Sequence, residues 1–383
     1  MLPEASETST SAAKSTSLKD LAAKNRKLNE LEFGEGKSVL SSFPYHVQIG
    51  ADNRCNLRCG FCLADAYRER GWVHIQDRKL EFNPFELFEK LVPIMPYWQL
   101  LSLTGPGESL LNPRIADILR LVRENSACTV IVTTNGVLIN KRLASILVEA
   151  GVDEISISLD SLEKETFEKL RVNGKLEKAV GAIDLLNEEK GRRSVDVPRI
   201  NLTPTFFRMN VQEVPSFIDF AAARGIEVVQ ASPGQVYRKD WIDQSLLHHP
   251  DLTRKMASEA ERKAQDQGIR FVNNLRTVYI NRGSRWKHPF RKDEEIDFPT
   301  DPSSCLKPWA SLYIEPDGET RPCCYPSPVY GNLAESSFEG VWNGPAALQL
   351  RKSMLERKPP EQCRNCYEFN RHRPEIMIEL LGG

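Results

Sequence analysis

Three cysteines in the run Asp52-Asn-Arg-Cys-Asn-Leu-Arg-Cys-Gly-Phe-Cys62 limit what this chain can fold into more than any other feature. The C-x3-C-x2-C spacing puts Cys55, Cys59 and Cys62 on one short loop. Three thiolates this close hold three corners of a [4Fe-4S] cube and leave the fourth iron without a protein ligand. An open iron is a binding position, so the fold around this loop has to bring a second ligand to it. The competing interpretation is a structural zinc knot, which takes four N or S ligands and leaves no vacancy. His74 is then available as a fourth ligand.

The chain has 9 Cys in 383 residues, an odd count arranged in tight clusters. That usage favours metal ligation under reducing conditions over a disulfide scaffold. With 51 basic and 52 acidic residues the formal charge is -1, which gives no overall pull toward nucleic acid or anionic membranes. No stretch approaches the ~18 to 20 uncharged apolar residues of a membrane span, and the N-terminus lacks a signal-peptide core. A cytoplasmic protein is expected.

Residues 1–17 are Ser, Thr and Ala with almost no large apolar side chain, and 1–43 is expected to be a mostly disordered extension. From residue 44 the pattern alternates between strand and helix. Strands are predicted over 45–51, 99–104, 129–133, 154–159, 200–206 and 226–231. Helices are predicted over 84–94, 115–125, 141–150, 163–189 and 214–224. Successive βα units require a parallel sheet, here a partial (β/α)6 barrel spanning 44–240. Functional residues of parallel barrels gather where strands end. Cys55, Cys59 and Cys62 follow the first strand, Thr104-Gly-Pro-Gly-Glu108 the second, Thr134-Asn135-Gly136 the third and Ser158-Leu-Asp160-Ser161 the fourth. Residues 241–304 form a helical and linker segment. A second cysteine set then occupies a small C-terminal domain, 305–383. A hairpin over 311–323, turning at Pro316-Asp317-Gly318, brings Cys305 and Cys323 near one another. Cys363 and Cys366 follow a predicted helix over 346–356. Cys128, at the opposite end of the third strand from the rim, reads as a small buried apolar residue.

The first cysteine run, with the aromatic Phe61 just before its last Cys, resembles the signature of the radical S-adenosylmethionine (SAM) enzymes. The resemblance implies that the methionine moiety of SAM chelates the open iron. The reduced cluster then cleaves SAM to a 5'-deoxyadenosyl radical, using an external electron donor such as flavodoxin or ferredoxin. Thr104, Gly105, Gly107 and Glu108 resemble the GGEP motif that holds the amino group of SAM, with the Glu kept and the order changed. Ser158 and Asp160 are similar to the strand-four polar pair that touches the ribose or the methionyl carboxylate. Arg171 resembles a basic residue that pairs with that carboxylate, and Asn135 joins the same cofactor-binding rim. Cys305-x12-Gly318-x4-Cys323, Gly331-Asn-Leu and Val341-Trp-Asn343 resemble the SPASM or twitch auxiliary-cluster domain. Full SPASM domains carry more cysteines after the C-x2-C pair, and this chain has none after Cys366. One auxiliary [4Fe-4S] cluster is therefore implied, on Cys305, Cys323, Cys363 and Cys366. Cys324 is either an alternative to Cys323 or a spare thiol that donates a hydrogen atom to a substrate radical.

The expected activity is that of a radical oxidoreductase or epimerase acting on a small polyhydroxylated molecule, a sugar or cyclitol. A peptide-modifying maturase is the first alternative. Its relatives commonly carry an N-terminal leader-recognition domain, for which residues 1–43 leave little room. A zinc-stabilised interaction module is the second.

Overall fold

The computed structural model describes residues 5–62, 83–236, 238–279, 286–287, 295–296, 302–325, 327–364 and 366. His74 and most of the 281–304 linker lie outside the described residues.

The core is a mostly parallel sheet. Its strands are β1 (His46–Ile49), β2 (Leu100–Leu103), β3 (Thr129–Thr134), β4 (Glu154–Ile157), β5 (Arg199–Leu202), β6 (Val228–Pro233), β7 (Arg270–Asn273), β8 (Ser311–Ile314), β9 (Glu319–Arg321) and β10 (Gly331–Asn332). They lie in the order β7-β6-β5-β4-β3-β2-β1-β8-β9-β10. The six predicted strands are present in sequence order, each separated by the crossover helix that a parallel pairing requires. β7 extends the parallel run from a stretch expected to be helix and linker. The helix Pro250–Gln267 stops at Gly268, whose φ of 69° is left-handed, and Arg270-Phe-Val-Asn273 follows as strand.

Side chains alternate across each strand. Val47, Ile49, Leu101, Leu103, Val130, Val132, Ile155 and Ile157 are fully buried and join one hydrophobic cluster with the helix residues Ile118, Leu119 and Leu147. The opposite face carries Gln48, Ser102, Thr133, Ser156 and Asn201 together with Leu100 and Ile131, so the concave side of the partial barrel is polar at most positions.

The C-terminal hairpin forms as expected, β8 against β9 with Tyr313 opposite Arg321 and Gly318 at φ 87° in the turn. Its placement is new. β8 pairs parallel with β1, His46 beside Ser311 through Ile49 beside Ile314. The second cysteine domain thus continues the sheet of the first.

Two expectations are corrected. The N-terminal extension is a helix over Ala5–Gly34, and from Ala22 onward it is docked by polar anchors. Asn29 Nδ2 donates to Trp309 O at 2.6 Å and Ser42 Oγ at 2.9 Å. Glu32 accepts from Ser41 N and from the Ser42 amide and hydroxyl. The single helix predicted over 163–189 is two, Lys164–Leu170 and Leu176–Arg193. Between them Arg171–Val172 pairs antiparallel with Arg58–Cys59, and Asn173 turns at φ 70°.

Replacing Asn29 by Ala orphans a buried carbonyl, and should lower anaerobic unfolding stability by about 1–3 kcal/mol. His46 makes stability pH-dependent. Burial, helped by the charge of Lys307, pulls its imidazole down from 6.5 to about 4. The unfolded chain therefore binds a proton that the native chain refuses between those values, and stability falls as pH drops through that window. The slope is at most about 1.4 kcal/mol per pH unit. His46→Gln should flatten this part of the urea-midpoint profile.

Candidate functional site

The loop after β1 is built by its own side chains. Asp52 is wholly buried; its carboxylate accepts from Arg54 N at 2.9 Å and is paired with the Arg54 guanidinium at 2.8 Å. The Thr104–Glu108 segment is pressed against this loop. A Cβ on Gly105 would stand 2.5 Å from Gly50 Cα, and one on Gly107 would stand 2.5 Å from Asp52 O and overlap Arg54 O. Glycine is required here by close backbone approach. Thr104 N donates to Ile49 O at 3.1 Å, and Glu108 N to Arg54 O at 2.8 Å.

Glu108 is buried, and desolvation pushes its carboxyl up against the lowering effect of its hydrogen bonds. Its oxygens accept from Asn135 N at 2.9 Å and Leu110 N at 3.3 Å. Asn135 in turn donates from Nδ2 to Asn56 Oδ1 at 2.9 Å, inside the cysteine loop. Ser158, half-buried, donates its amide to Thr134 O at 2.9 Å, which fixes the fourth rim cluster against the third. The predicted rim residues are therefore brought together on one side of the sheet.

Arg171 is not a solvated helix residue. It is buried, opposite Cys59 in the short antiparallel ribbon. Its Nε donates to Asp160 Oδ2 at 2.5 Å, its Nη1 lies 3.9 Å from Cys59 Sγ, and its guanidinium sits 5.7 Å from the Phe61 ring centroid. Asp160 also accepts from Thr205 N at 2.8 Å. Burial pushes the Cys59 thiol up to about 12, with Arg171 acting in the opposite direction, and raises Cys55 as well. Cys55, Cys59 and Cys62 lie within one another's fields. The loop therefore presents two desolvated sulfurs, a third thiol beside them and one cation, an environment in which bound iron, itself positive, would stabilise the thiolates.

Sequence reasoning missed the aromatic side of the site. Phe61 packs against Phe207 at 5.1 Å and Trp241 at 6.3 Å, and a Cβ on Gly60 would stand 2.8 Å from Trp241 Cζ2. The only signal was the concentration of aromatics after β5.

The second thiol set converges equally. Cys363 feels Cys323, Cys305 and Cys366, and burial followed by this mutual repulsion pushes it up to about 12. Tyr330, buried against the same group, is raised by desolvation. Arg351, buried, is lowered to about 10; it donates to Pro308 O at 2.9 Å and Ser38 O at 3.0 Å. Cys324 is not part of this set. Burial raises its thiol, with Cys323 acting in the same sense and Lys307 and Gln48 against it. Cys128 is buried away from both groups. Among the described residues no three His, Cys, Asp or Glu side chains close on a single ion. A cubane, whose ligands bind separate irons, does not need them to.

Residues 52–221 match the Radical SAM superfamily and residues 305–367 the SPASM iron-sulfur cluster-binding domain. The chain is 29% identical to a GTP 3',8-cyclase of Chlorobaculum tepidum over 48% of this chain and 52% of that enzyme. It is 22% identical to the PqqA peptide cyclase of Granulibacter bethesdensis over 82% of this chain and 77% of that one. The match covers 59% of a Pseudomonas aeruginosa GTP 3',8-cyclase at 30% identity, so the chain spans about half the length of these cyclases. Among solved structures, SuiB of Streptococcus suis bound to S-adenosylmethionine superposes at TM-score 0.61 with 17% identity, covering 86% of this chain and 70% of that one. Native anSMEcpe with AdoMet and a peptide superposes at 0.59 with 16% identity, covering 85% and 87%. These likenesses establish the fold. Among the described residues no helix is long and apolar enough to cross a membrane.

Gly107→Ala should displace the first cysteine loop while sparing the second set. After anaerobic reconstitution, iron should fall from about eight to about four atoms per chain, with SAM cleavage lost. Full iron content with unchanged cleavage would contradict the packing argument.

Proposed function

Because this chain is a radical SAM enzyme with a C-terminal SPASM domain, we propose that it takes a hydrogen atom from a hydroxyl-bearing carbon of a small polar molecule, a sugar or cyclitol, and oxidises or epimerises that carbon. Its cofactors are SAM and two [4Fe-4S] clusters. Cys55, Cys59 and Cys62 would hold the first, and Cys305, Cys323, Cys363 and Cys366 the second. When bound, the first cluster with SAM supplies the 5'-deoxyadenosyl radical, and the second a one-electron acceptor. The zinc-module alternative loses its support to the two family matches.

One observation carries this reading: the inner face of the sheet carries Gln48, Ser102, Thr133, Ser156 and Asn201, groups that can hydrogen-bond a hydroxylated molecule. To Cys324, next to the ligand set but not among the thiols that act on Cys363, we assign the hydrogen donor. In epimerisation Cys324 gives its S–H hydrogen to the carbon radical, forming the new C–H bond. An electron from an external reductant and a solvent proton then remake the thiol. In oxidation the carbon radical instead loses a proton and an electron, and Cys324 is not consumed. On the cofactor side, Asp160 and Arg171 form a buried charged pair beside Cys59, and Glu108 would meet the ammonium of SAM. The GTP 3',8-cyclases among the relatives act, by their name, on a small hydroxylated molecule.

Peptide modification is the second reading. The PqqA peptide cyclase and the SuiB structure with precursor peptide SuiA support it. So does a cleft of about 400 Å³ along β7, lined by Glu261, Arg270, Asn273 and Arg276. β7 is the last strand of the sheet on that side among the described residues, where an extended chain can add by backbone hydrogen bonds.

The test is anaerobic incubation in D2O of reconstituted enzyme, SAM and dithionite with metabolite and peptide fractions, read by mass. A product lighter by two hydrogens and made equally by Cys324→Ala marks oxidation. A product carrying one carbon-bound deuterium, lost in Cys324→Ala, marks epimerisation. A change confined to the peptide fraction would overturn the small-molecule reading.

A further inference from the structure

We propose that the groove between the helix Pro345–Leu355 and the turn leading into Cys363 is the docking site of an acidic one-electron carrier protein. This rests on the reading of the second cluster as an electron acceptor. Each electron that such a cluster takes from a carbon radical has to leave it, and a carrier in its oxidised form takes that electron and becomes reduced.

The first argument is the groove itself. It encloses about 370 Å³, and Ala346, Gln349, Leu350 and Ser353 form one of its walls. These four recur at the i, i+3, i+4, i+7 spacing that shares one helix face. Pro328 and Pro360 complete the lining, and Val329, next to Pro328, is 39% exposed. An apolar recess rimmed by polar side chains has the anatomy of a protein–protein contact. Its small extent suits electron-transfer partners, whose encounters bury less surface than most.

The second argument is position. Arg357 ends the helix in the left-handed region at φ 57°, where glycine is the usual residue. Lys358 N donates to Ser353 O at 2.8 Å. This stop turns the chain back at the helix end, so that Lys358 and Pro360 line the groove together with Ser353. Pro360 O then accepts from Cys363 N at 3.0 Å and from Arg364 N at 2.9 Å. A partner seated in the groove therefore touches the turn that carries one of the thiols assigned to the second cluster.

The third is charge. The chain as a whole has a formal charge of -1. In the stretch 345–364, which builds most of the groove, the exposed cations Lys352, Arg357, Lys358 and Arg364 stand against two exposed carboxylates, Glu356 and Glu361. Lys263 and Arg276, on another part of the surface, are neutralised within the chain by Asp219 and Glu261. Lys352, Arg357 and Lys358 have no such pairing among the described residues. Cations of this kind around an apolar recess attract an acidic partner and orient it.

The probe is an oxidised plant-type [2Fe-2S] ferredoxin, which is acidic and carries one electron. Its affinity for the anaerobic holoenzyme is measured by fluorescence anisotropy. Its bleaching by holoenzyme that has been reduced with dithionite and desalted is followed by stopped flow. Lys358→Glu should weaken binding and slow bleaching about fivefold to twentyfold at low ionic strength, an effect that added salt removes. Gln349→Glu, on the helix side of the groove and away from the cysteine turn, should act in the same sense. It covers the case in which Lys358→Glu fails to hold its second cluster. Iron content and dithionite-driven SAM cleavage, which need no docked protein, should match the unaltered enzyme in both. Unchanged affinity in Gln349→Glu and in iron-replete Lys358→Glu overturns the docking site. So does a native holoenzyme that does not bleach ferredoxin. Weakened binding with unchanged bleaching overturns the carrier assignment, and a salt-sensitive dimer that is lost in Lys358→Glu assigns the groove to a second copy of this chain instead. The measurement needs no substrate, so it can fail while the deuterium result stands, or succeed while that result fails.

Discussion

The parallel pairing of β1 with β8 is the constraint on which the rest of this structure depends. β1 has β2 on one side and β8 on the other, and the first cysteine loop leaves its C-terminal end. The same strand that presents Cys55, Cys59 and Cys62 therefore anchors the hairpin that presents Cys323 and Cys324. A flexible tether between two domains would leave the thiol sets free to move apart; a shared strand holds them in register. The N-terminal helix and Arg351 reinforce the seam by satisfying carbonyls on both sides of it, Trp309 O, Pro308 O and Ser38 O among them. These groups sit where water is scarce, and an unmade hydrogen bond there costs more than a made one contributes.

Within the first site, Arg171 is the corresponding tie. The buried guanidinium is held by the Asp160 carboxylate, with the Cys59 sulfur and the Phe61 ring beside it. Removing one partner of such a pair is expensive, on the order of 3–5 kcal/mol. The break in the helix at residues 171–174 is the local consequence. The chain leaves helical geometry so that Arg171 can lie opposite Cys59, and Gly174 tolerates the approach of Arg171 O, which a Cβ would meet at 2.7 Å. Helix-forming composition on both sides is overridden by one buried ion pair.

What was legible in the sequence was local. The spacing of three thiols, the alternation that makes strands, and turn residues such as Asp317-Gly318 act over a few residues, and the structure follows them. What was hidden acts over long separations or through polar groups. Nothing in 46–49 or 311–314 marks those strands as partners, because a parallel pairing needs no turn between them. The N-terminal helix was read as disordered because it lacks an apolar stripe; its anchors are Asn25, Asn29 and Glu32, buried through hydrogen bonds. Arg171 was hidden in a charged stretch with helical composition. Cys323 and Cys324 are indistinguishable by spacing, and only the folded chain separates them, with Cys323 and not Cys324 among the thiols that act on Cys363.

The same alternation explains why this sheet can support chemistry at all. A period of two gives each strand one face for the helices and one for the interior, and a register slip of one residue would exchange them. Val47, Ile49, Leu101 and Leu103 on the outer face leave little freedom to slip, since their burial against the helices would be lost together. At about 25 cal/mol per Å² of apolar surface, that outer face stabilises the register strongly enough for the inner face to be spent on groups that do not stabilise the fold. Gln48, Ser102, Thr133, Ser156 and Asn201 add little to a core and would weaken one if dehydrated. Their presence on the concave side is tolerated because the outer face holds the strands in place, and polarity there is what the proposed hydroxylated substrate would require.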